Sequence, residues 1–181
     1  MTGLHKIALG GAILLVVSAC ETVPPAANAA GTGTVDVRQA MVDGVNPAAL
    51  AVWDVGNNAV DDAGEPDASK LDPQALARLR EAAQMLDTYA EVLAEAPVIR
   101  ASGPDLVGGR LPEGVASREQ IQAAIDANPA GFRAYSRAMG AEAEAILAAI
   151  QSGDREEVAS RLASFDGACQ ACHERYWYVN Q

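Results

Sequence analysis

Histidine is nearly absent from this 181-residue chain, which holds only His5 and His173. A Ser-His-Asp or Cys-His hydrolase therefore has no base unless His173 serves as one. Cysteine is as scarce, with Cys20, Cys169 and Cys172 making up the set of three. Beyond residue 34 there are no β-branched runs and no strand-like alternation, so little is available to build a sheet. No Gly-rich loop stands between a strand and a helix, and a nucleotide site finds no support. Positive charge is also short: 13 Lys and Arg face 24 Asp and Glu, for a formal charge of −11. Such a surface repels nucleic acid and anionic lipid headgroups and favours basic protein partners.

The informative residues sit at the far end, in the run Cys169-Gln-Ala-Cys172-His173. C-x-x-C-H is the attachment signature of a c-type haem. Two thiols three apart on a helix point the same way and reach the two vinyl groups, and the next residue offers an imidazole to the iron. A disulfide or redox pair between the two cysteines requires no histidine directly after the second. Zinc needs a fourth ligand, and no other histidine remains once the leader is removed.

That leader is residues 1–19. Lys6 precedes the apolar stretch Ile7–Val17, a signal-peptide core too short for a stable membrane span. It ends Val17-Ser18-Ala19-Cys20, which resembles the lipobox of bacterial lipoproteins, where the cysteine becomes the acylated N-terminus. The alternative is an ordinary secretory signal cut nearby. Both place the mature chain in an oxidising, extracytoplasmic compartment, where c-type haem is attached. Loss of Lys6, the one charged residue usually counted in the leader, makes the precursor's −11 into −12. With Cys20 taking lipid and the other two taking haem, no thiol is left over. His173 is then the sole histidine, and bis-histidine ligation within one chain is impossible.

Residues 20–34 read as an acylated N-terminus and flexible tether, with a reach of about 20 Å. Residues 35–181 make one all-α domain, with four helices drawn from apolar spacing and caps. The first runs from about Val35 to Val60, with Val35, Arg38, Met41/Val42, Val45, Ala49 and Trp53 on its stripe and a kink or break after Asn46 because of Pro47. The second opens at Asp72-Pro73, carries Leu76, Leu79, Ala83, Leu86, Ala90 and Leu93, and stops before Pro97. The third opens at Asn128-Pro129 and ends at Gly153. The fourth starts Asp154-x-x-Glu157, and its stripe of Val158, Leu162, Phe165, Cys169, Cys172 and Tyr176 puts the haem cysteines on the inward face. Ser117–Ala127 looks like a short extra helix, and the Gly- and Pro-rich Pro97–Ala116 reads as a surface crossover. The acidic stretch Asp61–Asp72 reads as a solvated loop.

A signal peptide, four helices and a C-terminal Cys-x-x-Cys-His resemble the class II c-type cytochromes, the cytochrome c-prime type. Met41, Asn46-Pro47-Ala48-Ala49, Val52-Trp53 and the run Cys169–Trp177 are similar to a proteobacterial branch of such proteins, although Pro47 departs from the better-known members. The resemblance implies an antiparallel four-helix bundle with one covalent haem c near the C-terminus of the last helix. It implies an electron-transfer protein rather than an enzyme, and relatives often dimerise through helix faces. In that family the first helix covers the distal side of the haem. A methionine there gives a six-coordinate electron carrier; an apolar residue gives a five-coordinate haem that binds small gases.

In an up-down-up-down bundle the end of the last helix lies beside the start of the first. His173 and Met41 then lie at matching depth, while Met139 is roughly 15 Å deep at 1.5 Å per residue. Met85 lies off its helix's stripe. Met41 is thus the expected second axial ligand beside His173, its bland counterpart being a core methionine next to an open haem. Arg38, one turn earlier, is set either to contact a haem propionate or to stay solvated. Trp53, Phe132, Tyr135 and Tyr176 are expected to pack the core or the haem edge. The reading is a monohaem c-type cytochrome, lipid-anchored on the periplasmic side of a bacterial membrane, passing single electrons to redox proteins with basic docking surfaces. Its alternatives are a five-coordinate gas-binding haem protein and a structural lipoprotein with an incidental motif.

Overall fold

The computed structural model describes residues 33–102 and 113–178. The leader, Cys20, nearly all of the tether and residues 103–112 of the crossover lie outside the described residues. The element order is β1 (Thr34–Asp36), α1 (Val37–Ala40), a π-turn (Met41–Val45), α2 (Asn46–Asn58), a 3₁₀ turn (Ala68–Lys70), α3 (Pro73–Glu95), β2 (Val98–Arg100), α4 (Arg118–Ala127), α5 (Pro129–Ser152) and α6 (Arg155–Tyr176). The protein is all-α in class, with one short strand pair added.

Local chemistry explains the long helices. Asp72 accepts from the Ala75 N–H and Pro73 occupies the first turn of α3. Asn128 caps α5 through the Gly131 N–H, and Gly153 closes it at φ 75°, a left-handed position that suits glycine. Asp154 accepts from the Glu157 N–H to start α6. Glu157 does not complete a capping box; its carboxylate takes Arg161 Nε at 2.7 Å instead. Ser117 and Gln120 do form a reciprocal box on α4. Each such cap is worth about 1 kcal/mol.

The stripe of α3 goes inward as expected: Leu79, Ala83 and Leu86 are fully buried, and Ala90 and Leu93 nearly so. It packs on α5 and on α2, while α6 packs on α5 and α2. Arg133, in the first turns of α5, donates to the Ala94 carbonyl at 2.6 Å, and Arg137 pairs with Glu95 at 3.0 Å. The end of α3 therefore lies beside the start of α5. Tyr176, at the end of α6, donates to the Asn128 carbonyl at 3.2 Å and meets that same end of α5.

Three expectations need correction. The first helix does not begin at Val35, because Thr34–Asp36 pairs in parallel with Val98–Arg100. Three residues are too few to display a period, and the pairing partner is remote, so no local signal exists. Pro47 does not break the helix after Asn46. The disturbance sits before it, as a π-turn whose Asn46 N–H donates to the Met41 carbonyl, and the helical path continues into α2. Pro47 has no N–H for the Asp43 carbonyl, and the widened turn takes up its ring. The crossover is not simply surface, since Ile99, Ala101 and Ala116 are buried in the core.

Asp36 ties these parts together. Its Oδ1 accepts from the Arg38 and Gln39 N–H groups, and its Oδ2 accepts from Ser102 N and Oγ, both at 2.6 Å. Burial pushes this carboxyl up, but the Ser102 hydroxyl and the backbone donors outweigh it and hold it below the usual range.

Gly44, in the π-turn, is buried against Tyr89 of α3, and a Cβ added there would land inside the Tyr89 ring. Alanine ordinarily gains about 1 kcal/mol over glycine in a helix. Here overpacking reverses the sign: Gly44→Ala should destabilise by about 1–3 kcal/mol in urea unfolding. The same substitution in a Tyr89→Ala background should cost much less, a coupling that a double-mutant cycle reads directly.

Candidate functional site

The site grows out of the inward face of α6. Phe165 is fully buried, Cys169, Cys172 and His173 are half-buried, and Tyr176 is buried again. Both cysteines are free thiols. They border an apolar cavity of about 520 Å³, counting its open mouth. Met41, Val45, Ala49 and Trp53 line it from the first helical run, Leu93 from α3, and Phe132, Tyr135, Ser136 and Met139 from α5. An adjoining crevice of about 380 Å³ is walled by Val37, Arg38, Ile121 and Trp177, and shares Met41, Phe132, Cys172 and His173 with the first. A wider groove lined by Trp53, Asn57, Glu65, Leu162 and Asp166 among others offers no thiol and no imidazole, so chemistry rather than size locates the site.

Aromatic packing frames the cavity. Trp53 meets Phe165 edge-on with centroids 6.3 Å apart. Tyr176 is held between Phe132 at 5.3 Å and Tyr135 at 5.9 Å. The His173 ring has Trp177 and Tyr178 each 6.2 Å away.

Burial governs the titration of all three motif residues. It pushes the Cys169 thiol up to about 11, with Asp166 adding to the rise. Burial, with Cys169 beside it, pushes Cys172 to about 11 as well. It lowers His173, against a smaller opposing pull from Asp166. The imidazole is therefore neutral at neutral pH, the form that donates to a metal.

The structure brings most of the sequence candidates together. Met41 borders both cavities with Cys172 and His173. Met139 is buried and borders the larger one, so its greater depth does not by itself separate it from the site. Met85 borders neither of these two cavities. Arg38 is not solvated: it is only 5% exposed, and its guanidinium lies 5.7 Å from the Trp177 ring centroid. Sequence reasoning did not find Ile121 or Val37 as wall residues. Ile121 reaches the crevice only because α4 docks there, and nothing local in its sequence announces that. Trp177 closes the Cys-x-x-Cys-His-x-x-Tyr-Trp run, and its adjacency to the motif was the available signal.

Two aligned thiols, a neutral imidazole and apolar aromatic walls form the donor set that a covalently attached porphyrin requires. The residues fit that group. In the haem-free folded chain, the raised thiol values predict slow alkylation. At pH 8 iodoacetamide should modify Cys169 and Cys172 about 100-fold more slowly than an ordinary thiol, since a rise of two units cuts the thiolate fraction that much. The ordinary rate should return in guanidinium, with mass spectrometry following both adducts.

No curated protein and no solved structure matches the chain. A family model described as Cytochrome C' does match, over residues 76–177. The match takes in α3 to α6 with the whole Cys-x-x-Cys-His run and stops short of the first helical segment, so Arg38 and Met41 fall outside it. Membership of this family carries with it a covalently bound c-type haem, in proteins that carry electrons or bind gases and are typically periplasmic. More than half of the chain is matched, and the chain belongs to the cytochrome c′ family.

Proposed function

We propose that this protein is a monohaem electron carrier with histidine–methionine ligation. Cys169 and Cys172 hold the porphyrin by thioether bonds, His173 supplies the proximal nitrogen and Met41 the sulfur. Bound there, a haem supplies a one-electron ferric/ferrous couple. The observation that carries the reading is that Met41 sits where the two cavities meet, beside Cys172 and His173, whereas Met139 borders only the larger cavity. The protein's own residues exclude water and keep the imidazole neutral. An apolar surround and a thioether ligand both favour the reduced state. Arg38, buried against Trp177 on the crevice wall, is suited to a haem propionate.

The fold proposed for this carrier is an antiparallel four-helix bundle of the first helical run, α3, α5 and α6. The pairing of the α3 end with the α5 start, and of the α6 end with that same α5 start, supports it. Among the described residues no helix is long and apolar enough to cross a membrane. Membrane residence is proposed to come from acylation of Cys20, with the mature chain tethered on the periplasmic side. The strongly acidic composition favours redox partners with a basic docking surface.

Expression with a c-type maturation system should give a red protein whose haem survives acid–acetone extraction. In the ferric state it should show low-spin iron and the weak sulfur-to-iron charge-transfer band at the red end of the spectrum. Met41→Ala should abolish the band, lower the reduction potential and let carbon monoxide bind the ferrous form readily. Met139→Ala should leave the band intact while costing about 2–5 kcal/mol of stability. A wild-type protein that is already high-spin and binds carbon monoxide rapidly identifies a five-coordinate gas binder, which the apolar walls at Val45, Ala49 and Leu93 would equally suit.

Mass spectrometry of the mature N-terminus should find a diacylated or triacylated Cys20. Cys20→Ala should release the protein from the membrane fraction, because more than one acyl chain is what makes residence stable. A native N-terminus at any other residue overturns the lipid anchor.

A further inference from the structure

We infer that the π-turn at Met41–Val45 selects which side chain of the first helical run reaches the haem cavity, placing Met41 there and turning Val42 out. The inference deepens the proposed role of Met41 and rests on it only for its spectroscopic consequence.

Helical geometry makes the point. At about 100° per residue, Trp53, Ala49, Asn46 and Val45 form one stripe. All four line the larger cavity. An uninterrupted α-helix continues that stripe through Val42 and then Arg38, and Met41 falls roughly a quarter turn to one side. The structure has the opposite arrangement. Met41 borders both cavities and Val42 is 58% exposed, while Val37 and Arg38 both line the crevice. The exchange of Met41 for Val42 is a shift by one position. One extra residue held in the turn, with the Asn46 N–H reaching back to the Met41 carbonyl, accounts for it.

The extra residue cannot slip away at either end. Downstream, Val45, Ala48, Ala49 and Val52 are buried. Upstream, β1 is paired to β2, and Asp36 holds Ser102 and the start of α1. Between these anchors, Pro47 removes the N–H that a regular turn would send to the Asp43 carbonyl, and its ring crowds that carbonyl. Gly44 provides the flat surface that lets the widened turn pass under Tyr89. Pro47 and Gly44 are thus positioning residues for Met41, acting through the backbone.

The test uses the haem-loaded protein and three variants. Met41→Val combined with Val42→Met keeps composition constant and moves the thioether by one residue. That methionine should be oxidised by chloramine-T about tenfold or more faster than wild-type Met41, as peptide mass spectrometry reads it, and the ferrous protein should bind carbon monoxide. Deletion of Val42 together with Pro47→Ala removes the extra residue and its cause. Met41 should then occupy the regular stripe, stay protected and keep the wild-type spectrum. Equal protection of the moved methionine, or exposure of Met41 in the deletion variant, overturns the inference. Met41→Leu separates the two readings. If it retains the charge-transfer band, Met41 is not the ligand, and the oxidation comparison still decides the register.

Discussion

The rotational register of α6 is the constraint on which the rest depends. Phe165 is fully buried against Trp53, and Tyr176 is buried between Phe132 and Tyr135 with its hydroxyl on Asn128. These anchors are about three turns apart, and they hold the intervening helix in one orientation. Cys169 and Cys172 lie between them on the same stripe. Rotation by one residue, about 100°, would carry both sulfurs off the cavity wall and drag an aromatic ring out of the core. Core packing and the aim of the two thiols are therefore one packing problem, and α6 needs no separate device to orient them.

Burial at that face also sets the chemical state of the motif. The cavity desolvates all three groups, which raises the thiols and lowers the imidazole, and Asp166 modulates Cys169 and His173 in the same upward sense. The neutral imidazole is ready to ligate without a stability penalty for losing a proton at neutral pH. The wall opposite is supplied by three further helical segments, so the pocket's lining comes from residues far apart in sequence. Only α3 to α6 lie within the family match; the first helical run, with Met41 and Arg38, is where this chain's own geometry decides its behaviour.

The contrast between α5 and the first helical run shows what is legible in a sequence. For α5, Asn128-Pro129 and Gly153 are short-range signals: a side-chain cap, a residue without an N–H, and one that tolerates positive φ. Their physics acts within four residues, so the boundaries follow directly. The same holds for α3 and α6. In the first run, Pro47 announced a disturbance but not its form. Whether a helix kinks, breaks or widens depends on what pins it on either side, and those pins are a remote strand partner and the Tyr89 ring. The solvated alternative for Arg38 failed for the same reason, since Trp177 is far from it in sequence.

What the sequence determined by itself was the helical class, the starts of the three long helices and the placement of Cys169 and Cys172 on the inward stripe of the last one. Those features rest on periodicity and on contacts within a turn or two, which the order of residues specifies. Only the tertiary structure decided that β1 clasps β2, that α4 closes the crevice through Ile121, and that the first run widens into a π-turn at Met41–Val45. Each of these depends on residues brought together from distant parts of the chain, where the energy of burial outweighs the local preference of the backbone.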